Sequence, residues 1–246
     1  MKMLDRWNQI REIVNAGSYV TVDELVEKIG ASPATIRRDL TAMERDGVIE
    51  RFRGGAKPVQ SSPEFAFSID KRLMEGKNAK IDICKKAAEF VEDGEYIYID
   101  TSSTTYYLPD FLQKKNVTVV TNSVMLLEKL LKNHIHTYVL SGTIEFESGS
   151  IVGEEANTKL RAMNFNRVFI GAYGVDLDRG YTTYNTGEGE LKQRLLAQTK
   201  HTYVLADHTK FSKSSFFTFG GLESATIITD ACPEEFRHKT NIIVTG

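Results

Sequence analysis

Apolar positions recur every three to four residues over the first fifty residues and later come in short unbroken runs, so the chain changes period partway along. Leu4, Trp7, Ile10, Ile13 and Val14 share one helical face and predict a first helix, with Gly17 as its stop. Thr21-Val22-Asp23-Glu24 has the capping-box form, in which a Thr hydroxyl and a Glu carboxylate satisfy each other's orphan amides. The second helix that follows turns Val22, Leu25, Val26 and Ile29 inward and ends at Gly30. Ala31 alone separates Gly30 from Ser32, which suits an N-cap, with Pro33 in the first helical position. In this third helix Ile36, Leu40 and Met43 form an apolar stripe, while Ala34, Arg37, Arg38, Thr41 and Arg45 project from the other face. Two helices joined by so tight a glycine-containing turn predict a helix-turn-helix. Gly47 closes the third helix, residues 48–53 read as a short strand with Arg51 and Arg53 at alternate positions, and Gly54-Gly55 breaks it, as in a wing.

Periodicity lapses from Lys57 to Lys80, where Pro58, Ser61, Ser62, Pro63 and Gly76 predict a linker. Within it Phe65, Phe67 and Ile69 alternate, too apolar for a free tether, and point to oligomerisation. A helix over 81–91 directs Ile83, Cys84, Ala87, Ala88 and Val91 toward a second core. Beyond it, β-branched or apolar runs at 96–100, 117–121, 137–140, 168–171 and 203–207 alternate with helical stretches such as 124–131 and 188–197. That alternation predicts an open, mostly parallel α/β sheet covered on both faces, and 225–229 and 242–244 supply two further strands. The expected organisation is a winged helix-turn-helix domain over 1–57, a linker over 58–75 and an α/β effector and oligomerisation domain over 76–246.

Composition narrows the chemistry. The 246 residues carry 31 basic and 33 acidic side chains, a formal charge of −2, so no global field draws the chain to nucleic acid and any DNA contact rests on local geometry. Cys84 and Cys232 lie far apart with no CxxC pattern, which predicts neither a disulfide framework nor a zinc site. The five histidines lack ligand spacing, and His134 and His136 read as strand-edge residues, so no metal is expected. No apolar leader or bilayer-length run is present in the sequence, and a cytoplasmic protein without membrane partners is the expectation.

Candidate chemistry gathers where the strands end: Thr101-Ser102-Ser103-Thr104-Thr105, Asn122-Ser123, Ser141-Gly142, Ala172-Tyr173-Gly174 and His208-Thr209-Lys210. Open α/β sheets bind ligands at that edge. The Ser102 to Thr105 run precedes a predicted helix, so its hydroxyls and the first helical amides suit an anion, with phosphate the natural guest. Lys210 would meet ligand oxygens, pair with Asp207, or do both. A Ser102, His208, Asp207 triad is not supported, because no G-x-S-x-G elbow exists and adjacent Asp207 and His208 diverge.

The segment VTVDELVEKIGASPATIRRDLTAMERDGVIERFRGGA resembles the helix-turn-helix of the DeoR family of bacterial transcription regulators, with T-I-R-R-D-L and G-G-A as recurrent marks. D-T-S-S-T-T, T-N-S, I-V-G, G-A-Y-G-V-D and A-D-H-T-K-F extend the resemblance to the family's effector domain, which is similar in fold to ribose-phosphate isomerase. The resemblance implies a homo-oligomeric, dimeric or tetrameric regulator. It is expected to repress a sugar-utilisation operon and to be released from double-stranded operator DNA by a phosphorylated sugar, with no further cofactor. Ser32, Ala34, Thr35, Arg37, Arg38, Thr41, Arg51 and Arg53 would face DNA. Asp100, Ser102, Ser103, Thr104, Thr105, Asn122, Gly142, Tyr173, Asp207 and Lys210 would meet the effector. The sequence departs from the family pattern at Arg53, usually His, at Ser103, more often Gly or Thr, and at Tyr173, where the isomerase has Asp. The rival reading is an isomerase-type enzyme with a DNA-binding appendage, for which Asp176 and Glu188 remain as acids or bases. Loss of the aspartate at Tyr173 argues against it, and no catalytic residue is expected.

Overall fold

The computed structural model describes residues 3–16, 19–45, 48–52, 54–57 and 69–245, and the chain divides into compact units Met1–Ala66 and Phe67–Gly246. In the first unit, α1 (Met3–Ala16), α2 (Val22–Ile29) and α3 (Pro33–Arg45) enclose a core of Ile10, Val14, Leu25, Ile36, Leu40 and Met43. The capping box at Thr21 forms in full, with the Glu24 N–H donating to Thr21 Oγ1 at 3.2 Å and Thr21 N–H to Glu24 Oε2 at 2.8 Å. Gly30 closes α2 in the left-handed region at φ 72°, and the Thr35 N–H donates to Ser32 Oγ at 3.2 Å to start α3.

The wing departs from the single strand expected. β2 (Glu50–Phe52) turns back into β3 (Gly55–Lys57), and β1 (Val20–Thr21) adds on β3's other side. Gly55 therefore belongs to a strand, opposite Phe52 and Thr21, and a Cβ there would lie 2.2 Å from the Val20 carbonyl oxygen. Gly17, Gly47, Arg53, Phe65 and Phe67 lie outside the described residues.

In the second unit, α4 (Ile69–Met74) and α5 (Lys77–Ala88) precede the sheet, so a helix occupies residues that the lapse in periodicity assigned to a linker. Leu73 packs into the core and its carbonyl accepts the Tyr107 hydroxyl at 2.8 Å. All seven expected strands form, as β4 (Tyr96–Ile99), β5 (Thr118–Thr121), β6 (His136–Val139), β9 (Arg167–Gly171), β12 (Thr202–Leu205), β14 (Thr226–Thr229) and β15 (Ile242–Val244). They pair in the order β15-β14-β12-β9-β4-β5-β6, every pair parallel. Successive side chains feed opposite faces. Ile97, Ile99, Phe169 and Leu205 meet α5 on one side, whereas Tyr98, Val168, Ile170 and Val204 meet α6 (Glu154–Arg161) and α7 (Thr186–Gln198) on the other.

Two smaller antiparallel sheets were not legible. β7 (Thr143–Glu145) pairs with β8 (Ser150–Val152), and β10 (Gly174–Asp176), β11 (Gly180–Thr183) and β13 (Phe217–Gly220) form a three-stranded sheet. The chain runs outward from β4 through β5 to β6, then returns to β9 and runs the other way. The strand order therefore reverses between β4 and β9, and their carboxyl ends flank the crevice that such a reversal opens.

Candidate functional site

The first unit offers a cationic helix face. Arg37 and Arg38 are exposed, and neither side chain has a hydrogen-bond or ion-pair partner among the described residues. Ser32 and Ala34 are exposed at the start of α3, and Thr35 is half-buried with its hydroxyl 2.9 Å from that of Ser32. Asp39 does not pair with Arg38. It is 3% exposed and turned inward, accepting from Arg6 Nε at 2.5 Å and from the Trp7 indole N–H at 3.3 Å. Arg51 reaches across from β2 and donates through Nη1 to Thr41 Oγ1 at 2.7 Å, while Thr41 donates to the Arg37 carbonyl at 2.8 Å. Wing and helix are thus joined through Thr41, whose hydroxyl is already engaged on both sides.

The second unit's crevice lies at the reversal point. Its wall after β4 is Thr101 to Thr104, its wall after β9 is Gly171 to Tyr173, and Thr183, Tyr184, Glu188, Lys192, Arg72 and Lys210 complete it. The two strand ends touch, since a Cβ on Gly171 would sit 2.4 Å from Ser102 Cβ, and only glycine admits that approach. The Ser102 and Thr105 hydroxyls are 2.9 Å apart, Ser102 Oγ accepts the Thr105 N–H at 3.0 Å, and Thr105 donates to Asp100 Oδ1 at 3.0 Å. These two residues spend their hydroxyls shaping the loop, and Ser103 and Thr104 are left to face the crevice. The helix after the loop, Thr105–Phe111, is a 3-10 helix, tighter than the α-helix expected there.

Of the effector residues read from the sequence, Ser102, Ser103, Thr104, Tyr173 and Lys210 line this crevice and the others lie apart from it. Asp100 sits beneath it, its Oδ2 held by Lys192 Nζ at 2.5 Å and by the Gly171 N–H at 2.8 Å, with both side chains of the ion pair buried. Thr105 is fully buried. Asn122 donates to Ser150 Oγ at 2.8 Å and so ties β5 to β8. Gly142 leads into β7 at φ 150°, where a Cβ would meet the Val152 carbonyl oxygen at 2.3 Å, so its glycine answers a backbone contact. Asp207 lines a neighbouring cavity and caps a short 3-10 turn, accepting the Thr209 N–H at 3.0 Å.

Arg72, Thr183, Tyr184, Glu188 and Lys192 line the crevice but escaped the sequence reading as ligand contacts. Arg72 comes from α4, with its guanidinium 5.8 Å from the Tyr184 ring and its buried Nε without a hydrogen-bond partner. Glu188 is 5% exposed, Oε1 has no partner, and burial raises its carboxyl above the ordinary range. Lys210 stands 5.9 Å from the Tyr173 ring, and burial lowers its ammonium from the ordinary value. Asp176 accepts the Asp178 and Arg179 amides in the β10–β11 turn and does not line the crevice. His208 pairs with Asp230 at 2.6 Å, leaving no triad with Ser102. Cys84 is a buried core thiol donating to the Thr104 carbonyl at 2.9 Å. Among the described residues no group of His, Cys, Asp or Glu is arranged to hold a metal, and no helix is long and apolar enough to cross a membrane.

The crevice itself is tight, about 40 Å³, room for a few waters. Its chemistry is nonetheless that of an oxyanion and hydroxyl site: two hydroxyls and two cations around an orphaned guanidinium N–H, with a buried carboxyl oxygen at one end.

Comparison with known proteins follows the same division. The DeoR-like helix-turn-helix domain matches residues 6–62, and the DeoR C terminal sensor domain matches residues 75–231. An HTH-type transcriptional regulator of Bacillus subtilis (strain 168) named FruR, described as uncharacterized, is 36% identical over 234 residues, covering 94% of this chain and 92% of that one. The lactose phosphotransferase system repressor of Staphylococcus aureus (strain NCTC 8325 / PS 47) is 27% identical over 243 residues, covering 98% of this chain and 96% of that one. Among solved structures, ribose 5 phosphate isomerase A from Neisseria gonorrhoeae overlaps 55% of this chain and 53% of its own, at 20% identity and a TM-score of 0.41.

Proposed function

Because the chain belongs to the DeoR family of transcriptional regulators, we propose that it represses a sugar-utilisation operon. In this reading α3 enters the major groove of operator DNA, and a phosphorylated sugar bound at the β4–β9 crevice releases it. The observation that carries the reading is the crevice itself, lined where the strand order reverses by Ser103, Thr104, Lys210 and Arg72, whose Nε has no hydrogen-bond partner. Those groups suit a phosphoryl oxygen, and Glu188 Oε1 suits a sugar hydroxyl. On the DNA side, exposed Arg37 and Arg38 supply base or phosphate contacts, and Arg51 holds the wing near the backbone. Two such helices in a homo-oligomer, a dimer or tetramer, would match half-sites about 34 to 36 Å apart or a multiple of that.

The effector acts by binding the releasing arrangement of the subunits more tightly than the DNA-bound one. A coupling of about 1 to 3 kcal/mol changes operator affinity roughly 5- to 150-fold, and operator must weaken effector binding by the same factor. Calorimetric titration of phosphosugars with and without operator DNA tests this on wild type and Lys210→Ala. Lys210→Ala should lose the response while retaining effector-free operator binding. Equal effector affinity in both DNA states sinks the coupling. For the DNA face, Arg37→Ala or Arg38→Ala should cost about 1 to 3 kcal/mol where the arginine reads a base. Unchanged affinity and salt slope in both variants would refute the placement of α3.

Glu188 favours one second reading, because a buried carboxyl held above its usual range suits a general acid or base. The regulator reading expects no interconversion of aldose and ketose phosphates, since Tyr173 occupies the position of the isomerase aspartate. Turnover that vanishes in Glu188→Gln would promote the enzyme.

A further inference from the structure

Across Arg72 and Lys210 from the crevice lies a second cavity of about 330 Å³, within the usual range for small-molecule sites. Glu75, Lys80, Asp207 and Lys213 line it together with those two shared residues. Among the described residues none of its four cations is in an ion pair. One of them, Lys80, is 2% exposed on α5, and among the described residues its ammonium donates only to the Arg72 carbonyl oxygen. The carboxylates facing the cavity do not balance this charge. Asp207 Oδ1 accepts the Thr209 amide and hydroxyl, Glu75 is exposed, and His208, which also lines the cavity, is held by Asp230. Four cations against two carboxylates leave an excess of two positive charges, and burying one of them, Lys80, without an ion-pair partner is costly.

We propose that this cavity is a second oxyanion subsite that takes a phosphoryl dianion on Lys80, Lys210 and Lys213, so that phosphoryl groups are held on both sides of the Arg72–Lys210 partition. The charge excess equals that of a phosphoryl dianion, and ammonium donors form short charge-assisted bonds to its oxygens. Burial, with Lys210 and Arg72 nearby, also lowers the Lys80 ammonium to about 8, and an anion in the cavity would restore its charged form. The dianion is either the second phosphoryl group of a bisphosphorylated effector or free phosphate bound beside a monophosphate. The inference rests on the phosphosugar reading for the ligand in the crevice, and on the cavity's own residues for the subsite.

The test is calorimetry on the full chain with a hexose 6-phosphate, the hexose 1,6-bisphosphate and inorganic phosphate, on wild type, Lys213→Glu and Lys80→Met. The readout is the ratio of bisphosphate to monophosphate affinity, expected at tenfold or more in wild type and near one in the variants. If Lys80→Met fails to fold, exposed Lys213 decides. A gain that appears only when inorganic phosphate accompanies the monophosphate assigns the subsite to free phosphate. Monophosphate binding with no gain from either source overturns the subsite and leaves the proposed function standing. Absence of monophosphate binding overturns the proposed function. Inorganic phosphate alone then decides the subsite: binding weakened tenfold by Lys213→Glu sustains it, and no binding overturns it.

Discussion

Replacing Lys192 with Met tests the pair on which the crevice is built. The ammonium donates to Asp100 Oδ2 at 2.5 Å and to the Gly171 carbonyl at 2.7 Å, and the two side chains are 6% and 3% exposed. Methionine matches the length and apolar stem of lysine but deletes the charge. Asp100 would keep the Gly171 amide and the Thr105 hydroxyl and lose its only ion-pair partner among the described residues. Breaking a buried pair from one side costs about 3 to 5 kcal/mol, and the two surviving hydrogen bonds place the expected loss at the lower end. For a unit of this size a loss of about 3 kcal/mol lowers the melting temperature by about 6 to 12 °C. The double variant Asp100→Asn, Lys192→Met removes both charges and should recover at least half of the loss, because desolvating the intact pair offsets much of its attraction. Urea unfolding and scanning calorimetry of the four proteins complete the cycle. A Lys192→Met loss below about 1 kcal/mol, or a double variant no more stable than the single, would refute this account of the buried pair.

Further outcomes follow from neighbouring residues. Burial raises the Glu188 carboxyl above its unfolded value, so its contribution is fullest at acid pH and is lost as pH rises through the raised value. Glu188→Gln should therefore lose less stability than wild type between pH 5 and pH 8 in urea titrations, and parallel curves would contradict this. Gly171→Ala would drive a Cβ to within 2.4 Å of Ser102 Cβ and should cost about 1 to 3 kcal/mol in chemical denaturation while displacing the β4 loop. Cys84 is fully buried, its thiol is pushed up by burial, and Cys232 is partly exposed. A thiol reagent should label Cys232 in the native protein and Cys84 only on unfolding, so rapid labelling of both would show the Thr104 region to be open.

The parts of the chain that could be read in advance are those where burial leaves a periodic trace. Strands buried on both faces, such as Val168 to Gly171, appear as unbroken apolar runs, and the capping box at Thr21 and the left-handed Gly30 announce a helix's start and end. The hairpin of Thr143–Glu145 and Ser150–Val152 is too short and too polar to leave a period. Lys192 and Arg72 sat among charged helical residues that look like solvated faces. Only tertiary placement shows that the first is buried against Asp100 and that both line the crevice. Asn122 and Gly142 show the converse: polar and small residues at strand ends suit ligands, and here the first also ties to Ser150 and the second also answers a backbone contact. A spacing of i and i+4 between Glu188 and Lys192 was the available signal that both belong to one helix face directed at the crevice.

The inward turn of Asp39 changes what a nucleic acid would sense at α3. Read as a string, the helix carries an acid beside its two arginines, a built-in partial neutralisation. In space that acid is spent on Arg6 and Trp7 behind the helix, so the outward stripe presents Arg37 and Arg38 without a counter-charge of its own. The potential on that stripe is therefore governed from another helix. A neutral residue at position 6 would leave Asp39 uncompensated on the helix that carries both arginines, where screening at physiological salt sets in over about 8 Å. Such a change would weaken attraction to every DNA sequence alike and leave the discrimination between sequences untouched. On the proposed DNA face Arg6 would then set the overall strength of attraction without touching Arg37 or Arg38.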